Sequence, residues 1–331
     1  REKNFLQTLN YTFLCNAHYA FQDDNHLYLV IDIALGGDLR YQLNHAKNNQ
    51  FSKEAAKFYV ATLLLALDYL HGQAILHRDI KPENVLMDAK GYVKLTDLGI
   101  SWRAPSVEAL EECTMSSGTH GYMAPEVYCK KHIHGKASEC FSTGVYAHEL
   151  MLGKRPFPSN VFKGISGTTR EDFLKNPSSY GRTLQFSGED SKIVDAETRD
   201  FIIALCDRDP RQRLGHAGVQ DIMNHQWFAG FDWEGLKNRT LAPPVVPRSD
   251  QANVDTGDCD LMDTFCMAQE ELVKLTAEQQ AKFEGYEFNT LYVRGRNSVV
   301  VGNGAPSDPT ENVAVVAGNG APSDPTENAA A

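Results

Sequence analysis

Four polar side chains in the first third of the chain are spaced so that they could act together. Asp79, Lys81 and Asn84 fall within six residues, in the run His77-Arg78-Asp79-Ile80-Lys81-Pro82-Glu83-Asn84, and Asp97-Leu98-Gly99 follows thirteen residues after Asn84. Phosphoryl transfer to a hydroxyl requires a carboxylate to orient the acceptor, a cation near the moving phosphate, and oxygen ligands for a divalent cation. This set supplies all three. Gly118-Thr119 and Ala124-Pro125-Glu126 follow further along the chain.

Positioning these groups requires particular elements. Val85-Leu86-Met87 and Tyr92-Val93-Lys94-Leu95, joined by the turn-forming Asp88-Ala89-Lys90-Gly91, predict a hairpin that returns Asp97 to the neighbourhood of Asn84. Ahead of it, Ser52 is a good N-cap for a helix ending at Gly72, with Ala55, Tyr59, Leu63, Ala66 and Leu70 along one face. Leu27 to Ile33 reads as a strand punctuated by Gly36-Gly37, and Glu2 to Gln7 reads as the end of a helix. Residues 51–235 are mostly helical in pattern, and 236–300 form a less regular extension with Pro243-Pro244 and Pro247. An eleven-residue unit starting at Gly302 recurs from Gly318. Its Gly, Pro, Ser and Asp content cannot bury a core, so 301–331 is expected to be a disordered tail.

Composition bounds the rest. The 331 residues allow about two compact units, and 42% hydrophobic with 23% charged residues fits a globular protein. The 32 Lys+Arg against 43 Asp+Glu leave a net charge of −11, which disfavours nucleic acid or an anionic membrane as partner. The longest apolar run, Tyr59 to Leu70, is twelve residues and contains Asp68, too short for an integral membrane segment. Seven cysteines without a C-x-x-C pair fit reduced thiols in a cytoplasmic protein.

The order His77-Arg78-Asp79 … Asn84 … Asp97-Leu98-Gly99 … Ala124-Pro125-Glu126 resembles the eukaryotic protein kinases. That resemblance implies an α+β, bilobal, protein-kinase-like fold with a mainly helical C-lobe, and it implies ATP and Mg²⁺ as cofactors. Asp79 would orient the substrate hydroxyl, Lys81 would neutralise the γ-phosphate as in Ser/Thr-specific members, and Asn84 and Asp97 would hold the metal. Ile31 falls at the gatekeeper position, the backbones of Asp32 and Ala34 would meet adenine, Leu86 would floor the pocket, and Asp38 would face the ribose. His77 would be structural, and Arg213 would pair with Glu126. Phe231-Asp-Trp-Glu-Gly-Leu and Leu241-Ala-Pro-Pro-Val-Val-Pro247 resemble the C-terminal extension of the AGC group. Phe283-Glu284-Gly285-Tyr286-Glu287-Phe288 resembles its hydrophobic motif, with Glu287 at the phosphosite as in atypical protein kinase C and the aromatics docking on the small lobe. The hinge, Asp32 to Tyr41, is most similar to that of the YANK group. The implied organisation is an N-lobe remnant at 1–34, a C-lobe at 35–228, an extension at 229–300 and the tail at 301–331.

The chain also departs from the family pattern. No glycine-rich loop and no strand-three lysine occur in these residues, although Glu2 falls at the position of the glutamate that pairs with that lysine. A truncated N-lobe, and a fragment of a longer active chain, are therefore expected. Glu139 replaces the aspartate of helix F, which puts its hold on the catalytic-loop backbone in question. Met115 takes the usual phosphothreonine position, leaving Thr114, Ser116 and Ser117 as targets for an upstream activating kinase. Asp38, Glu83 and Glu149 match an acidic pocket, so the expected partners are protein substrates with basic residues before the target Ser/Thr. The alternative is a catalytically inactive pseudokinase scaffold. The joint presence of Asp79, Lys81, Asn84 and Asp97, which a scaffold does not need, argues against it.

Overall fold

The computed structural model describes residues 2–22, 27–131, 134–181, 183–249 and 253, together with the backbone of strands at 288–289 and 313–318. A short helix α1 (Glu2–Leu6) leads to the antiparallel pair β1 (Ala17–Gln22) and β2 (Leu27–Asp32), and then to α2 (Leu39–Asn44) and α3 (Lys53–Gly72). Two small strand pairings flank the run His77–Asn84. β3 (Ile75–Leu76) pairs with β6 (Trp102–Arg103), and β4 (Val85–Met87) pairs with β5 (Val93–Leu95) in the register Val85↔Leu95, Leu86↔Lys94 and Met87↔Val93. The helix α4 (Lys136–Leu152) and shorter helices complete this lobe.

Ser52 caps α3 as its sequence predicts, accepting the Ala55 N–H at 3.2 Å. The expectation of a single apolar face is too modest. Ala56, Tyr59, Val60, Ala61, Leu64 and Leu70 are all fully buried, because α4, β3, β5 and the helix Val219–Met223 surround α3. Each large apolar side chain removed from water in this way contributes about 2 kcal/mol. α4 is buried almost throughout and packs between α3 and the helix Ala196–Leu205, so these three helices form the base of the lobe that carries the His77–Asn84 loop.

Residues 229–249 run back over the β4–β5 hairpin. The Tyr92 hydroxyl lies 2.6 Å from the Arg239 carbonyl and 3.0 Å from that of Leu241, while the Arg239 guanidinium covers the Tyr92 ring at 4.2 Å and pairs with Asp88. Gly91 has φ +93, and a Cβ there would come within 2.0 Å of the Val245 carbonyl oxygen. Farther on, the Asn253 amide donates to the carbonyls of Leu35 (2.9 Å) and Arg248 (2.7 Å). Its own carbonyl crosses Gly37 so closely that a Cβ would meet it at 1.8 Å. The extension is thus fastened both to the hairpin turn and to the segment after β2.

Two further strands complete the first sheet, in the order β7-β1-β2-β8. β7 (Phe288–Asn289) pairs Phe288 with Ala20 and Asn289 with Tyr19. Phe283, Tyr286 and Glu287 lie outside the described residues. β8 (Val313–Gly318) pairs antiparallel with all six residues of β2, from Leu27↔Gly318 to Asp32↔Val313. These six residues fall within the segment 301–331 expected to be a disordered tail. The run Val313-Ala-Val-Val-Ala between the two polar units is apolar, partly β-branched and free of proline, which suits a strand.

Cys15, Cys113, Cys129, Cys140 and Cys206 are buried and unbonded. Burial pushes the Cys15 thiol up to about 11 and those of Cys129, Cys140 and Cys206 up to about 12. Among the described residues no helix is long and apolar enough to cross a membrane.

Candidate active site

Asp79 is the centre of a compact polar cluster. Its Oδ2 accepts from Lys81 Nζ at 2.6 Å and from Asn84 Nδ2 at 3.1 Å, and its Oδ1 accepts from the Thr119 hydroxyl at 2.6 Å. Lys81 Nζ also donates to Thr119 Oγ1 at 2.9 Å, closing a triangle of carboxylate, ammonium and hydroxyl. Burial alone would push the Asp79 pKa up, but the bonds from Lys81 and Thr119 outweigh it and hold the carboxyl below its ordinary value. The carboxylate is therefore ionised at neutral pH, and the ammonium that neutralises it is one-fifth exposed and able to face an incoming anion. Asn84 is held in place by a second bond from Nδ2 to the Asp79 carbonyl at 2.8 Å. His77, fully buried, is structural as expected. Its Nε2 donates to the Thr96 carbonyl at 2.8 Å and its Nδ1 accepts the Asp79 N–H at 3.2 Å.

The base of the loop is held from α4. Glu139 Oε1 accepts the Arg78 N–H at 2.7 Å and Oε2 lies 2.6 Å from His71 Nε2, with both side chains buried. The longer side chain at this position therefore does reach the catalytic-loop backbone, which answers the question raised by its sequence. Burial acts to raise the Glu139 pKa, but His71 and the Arg78 amide overcome it and the carboxyl is lowered. Arg78 itself has φ +72 and directs its guanidinium to the carbonyls of Ile100 and, at 3.2 Å, Met115, tying the loop to the segment that carries Thr114, Ser116 and Ser117. Glu126 and Arg213 form the expected pair, doubly bonded at 2.5 and 3.0 Å and buried.

The hairpin delivers Asp97. Thr96 N–H donates to the Asn84 carbonyl at 2.9 Å, so Asp97 emerges next to Asn84, exposed and in the left-handed region at φ +62, with Oδ1 accepting the Gly99 N–H at 3.1 Å. Because Asn84 spends its amide nitrogen on Asp79, its oxygen is the group able to ligate. An amide oxygen and a carboxylate at one hairpin end fit a magnesium ion that keeps phosphate and water in its other positions. Among the described residues no trio of His, Cys, Asp or Glu gathers into a fuller metal site. Leu98 is buried in the core. Glu2 reaches this corner from α1: burial and the nearby Asp97 raise its pKa, while the Leu98 amide hydrogen-bonds its carboxylate.

The residues expected to meet the nucleoside lie on the segment from β2 to α2 and on β4. Ile31 packs on the core from β2, and Leu86 on β4 bridges to Asp38. Asp38 caps α2, accepting the Tyr41 N–H at 2.7 Å. Ala34 accepts the Gly37 N–H at 3.2 Å in the turn after β2. Asp32, expected to act through its backbone, is also a side-chain clamp. Its carboxylate accepts from Asn16 N at 3.0 Å, Asn16 Nδ2 at 3.1 Å, His18 at 2.8 Å and Lys94 at 2.5 Å. Burial opposes ionisation there, but His18 and Lys94 hold the carboxyl far below the usual range.

The structure thus brings Asp79, Lys81 and Asn84 into contact, sets Asp97 beside them through the hairpin, and places Ile31, Asp32, Ala34, Asp38 and Leu86 along the segment joining β2 to α2 and the facing hairpin. One contributor was not assigned a role from sequence: Thr119 lies forty residues from Asp79, and only its place after Gly118 drew notice.

A protein kinase domain model matches residues 1–228. Among curated relatives, a probable serine/threonine-protein kinase of Dictyostelium discoideum is 34% identical over 293 residues, covering 87% of this chain and 59% of the relative. Human ribosomal protein S6 kinase alpha-6 is 34% identical over 296 residues, covering 87% of this chain and 36% of its own length. Mouse ribosomal protein S6 kinase alpha-2 is 36% identical over 248 residues, covering 74% of this chain and 31% of its own length. The chain therefore spans at most about three-fifths of these relatives, and the similarity supports an AGC-like Ser/Thr kinase.

Proposed function

Because the chain belongs to the protein kinase domain family, we propose that it transfers the γ-phosphate of ATP to serine and threonine hydroxyls of protein substrates. The observation that carries this reading is the Asp79–Lys81–Thr119 triangle, with all three contacts between 2.6 and 2.9 Å. The ionised Asp79 orients the acceptor hydroxyl and takes up its proton as the oxygen attacks. Lys81 supplies a positive charge at the place where negative charge moves between leaving and accepting oxygens. Thr119 fixes both groups relative to each other. Magnesium, when bound with ATP, neutralises phosphate charge, and Asn84 and Asp97 are the residues that would hold it. Ile31, Asp32, Ala34, Leu86 and Asp38 would hold the nucleoside.

We assign residues 35–228 to the C-lobe and 229–300 to an AGC-type extension; the anchoring of Arg239, Leu241 and Asn253 supports the latter. The buried, unbonded thiols are in keeping with a cytoplasmic setting. Thr114, Ser116 and Ser117 are the candidate targets of an upstream kinase.

The test is a pair of measurements on the whole chain. Mg-ATP should raise the melting temperature of the wild type and leave Asp97→Ala unmoved, and labelled ATP should mark a mixed Ser/Thr protein substrate with the wild type but not with Asp79→Asn. A chain that binds no Mg-ATP and labels nothing is a scaffold, and the reading fails.

A further inference from the structure

Arg40 stands in the first turn of α2, two residues after Asp38, which caps it, and its guanidinium bonds three of the chain's own groups through Nε and Nη2. Nε donates to Glu83 Oε1 at 2.9 Å, and Nη2 lies 3.0 Å from Glu149 Oε1 and 2.8 Å from the Tyr122 hydroxyl. The Tyr122 hydroxyl in turn donates to the other oxygen of Glu149. Glu149 is only 5% exposed, Arg40 25% and Glu83 40%, so the deep carboxylate is closed off while the outer one faces solvent. A second cation, Arg155, lies over the Tyr122 ring at 5.6 Å.

This cluster borders the catalytic groups. Glu83 is two residues beyond Lys81, and Tyr122 N–H donates to the carbonyl of Thr119, whose side chain touches both Asp79 and Lys81. A substrate chain presenting its hydroxyl to Asp79 therefore passes Glu83 and Glu149. A basic side chain arriving there would need those two carboxylates, and Arg40 already bonds one oxygen of each, leaving Glu83 Oε2 without a hydrogen-bond partner. The newcomer must either displace a guanidinium from three acceptors or sit beside it, and like charges at contact distance repel.

The geometry points to Arg40 as a specificity-determining residue. It fills from within the carboxylate pair Glu83/Glu149 that would otherwise select arginine or lysine, so this subsite accepts uncharged side chains from the substrate. This rests on the kinase reading above and revises the preference expected from Asp38, Glu83 and Glu149 taken as free carboxylates. Removal of the guanidinium exposes a pair of negative charges already positioned for a base.

The test is peptide binding to the whole chain, read by fluorescence anisotropy so that it does not depend on turnover. Two labelled peptides differ only in having arginine or glutamine at the two positions nearest the subsite before the serine. The wild type is expected to bind them within about twofold of each other, and Arg40→Ala to prefer the arginine peptide by about tenfold or more, a difference typical of one charge-assisted pair. Arg40→Ala/Glu149→Gln should fall back towards parity. A tenfold preference for arginine in the wild type overturns the proposal whether or not Arg40→Ala folds, and so does parity in a folded Arg40→Ala. The Mg-ATP melting shift, measured on the same samples, judges the kinase reading separately. If it is absent while Arg40→Ala still discriminates, the subsite stands and the enzyme does not.

Discussion

Glu139, in the first turn of α4, reaches the backbone of Arg78 sixty-one residues earlier in the chain, and its two oxygens divide between that amide at 2.7 Å and His71 at 2.6 Å. One buried carboxylate thus fixes the loop that carries Asp79 to the helical base. Glu139→Ala removes the acceptor and leaves the Arg78 N–H and His71 buried without it, so a loss of about 3 kcal/mol in unfolding free energy is expected. Urea titration measures it. Retention of wild-type stability would show that the loop is held by other means.

Thr119→Ala removes two contacts at once, one to the Asp79 carboxylate and one to Lys81. Phosphate transfer should slow about 100-fold with little change in stability, and Thr119→Ser should recover most of the rate. The Asp79 pKa, now held down partly by Thr119, should rise in Thr119→Ala, so the acid limb of the rate profile moves to higher pH. An unchanged rate and acid limb would remove Thr119 from the site.

His148 supplies a pH test of the fold. Burial pushes it down to about 4 from 6.5, and it packs with its Nδ1 2.8 Å from the Lys154 carbonyl and its ring against Phe186. The unfolded chain takes up this proton near pH 6.5, while the native chain resists until about 4. Between those values the unfolded state binds more protons, and stability drops as pH falls, by about 3 kcal/mol over the window. In His148→Gln this part of the slope should vanish. Parallel pH curves for the two proteins would contradict the assignment.

Tyr92→Phe deletes the hydroxyl shared between the Arg239 and Leu241 carbonyls. A loss of roughly 1–2 kcal/mol is expected, with earlier cleavage within residues 236–249 under limited proteolysis. Equal cleavage rates would mean that the ring stacking of Arg239 and the packing of Val245 hold the extension without the hydrogen bonds.

The parts of the site legible in sequence are those compressed into short runs. Asp79, Lys81 and Asn84 share one loop, so their spacing alone implied contact, and the turn-forming Asp88-Ala89-Lys90-Gly91 announced the hairpin that returns Asp97. Ser52 and Gly72 likewise marked the limits of α3. What escaped the sequence are meetings between distant segments. Thr119 meets Asp79 across forty residues, and Arg40 meets Glu83 across forty-three. Both have ordinary surface composition, and only the fold gives them a partner. The side-chain grip of Asp32 was hidden for the same reason, since Asn16 and His18 come from one stretch and Lys94 from another, far along the chain. At Glu139, side-chain length alone suggested a misfit, whereas Arg78 presents its amide where the longer carboxylate can reach it.

The buried thiols of Cys15 and Cys206 give the molecule two built-in clocks. A thiol held protonated and out of solvent scarcely reacts with an alkylating reagent, so each can be tagged only when its surroundings part. Cys206 closes the helix Ala196–Leu205 where that helix meets α4 at Gly144, and Cys15 sits beside the Asp32 clamp. The rates at which these two positions acquire a label therefore time two separate openings, one of the helical base and one of the end of β2, within a single native protein.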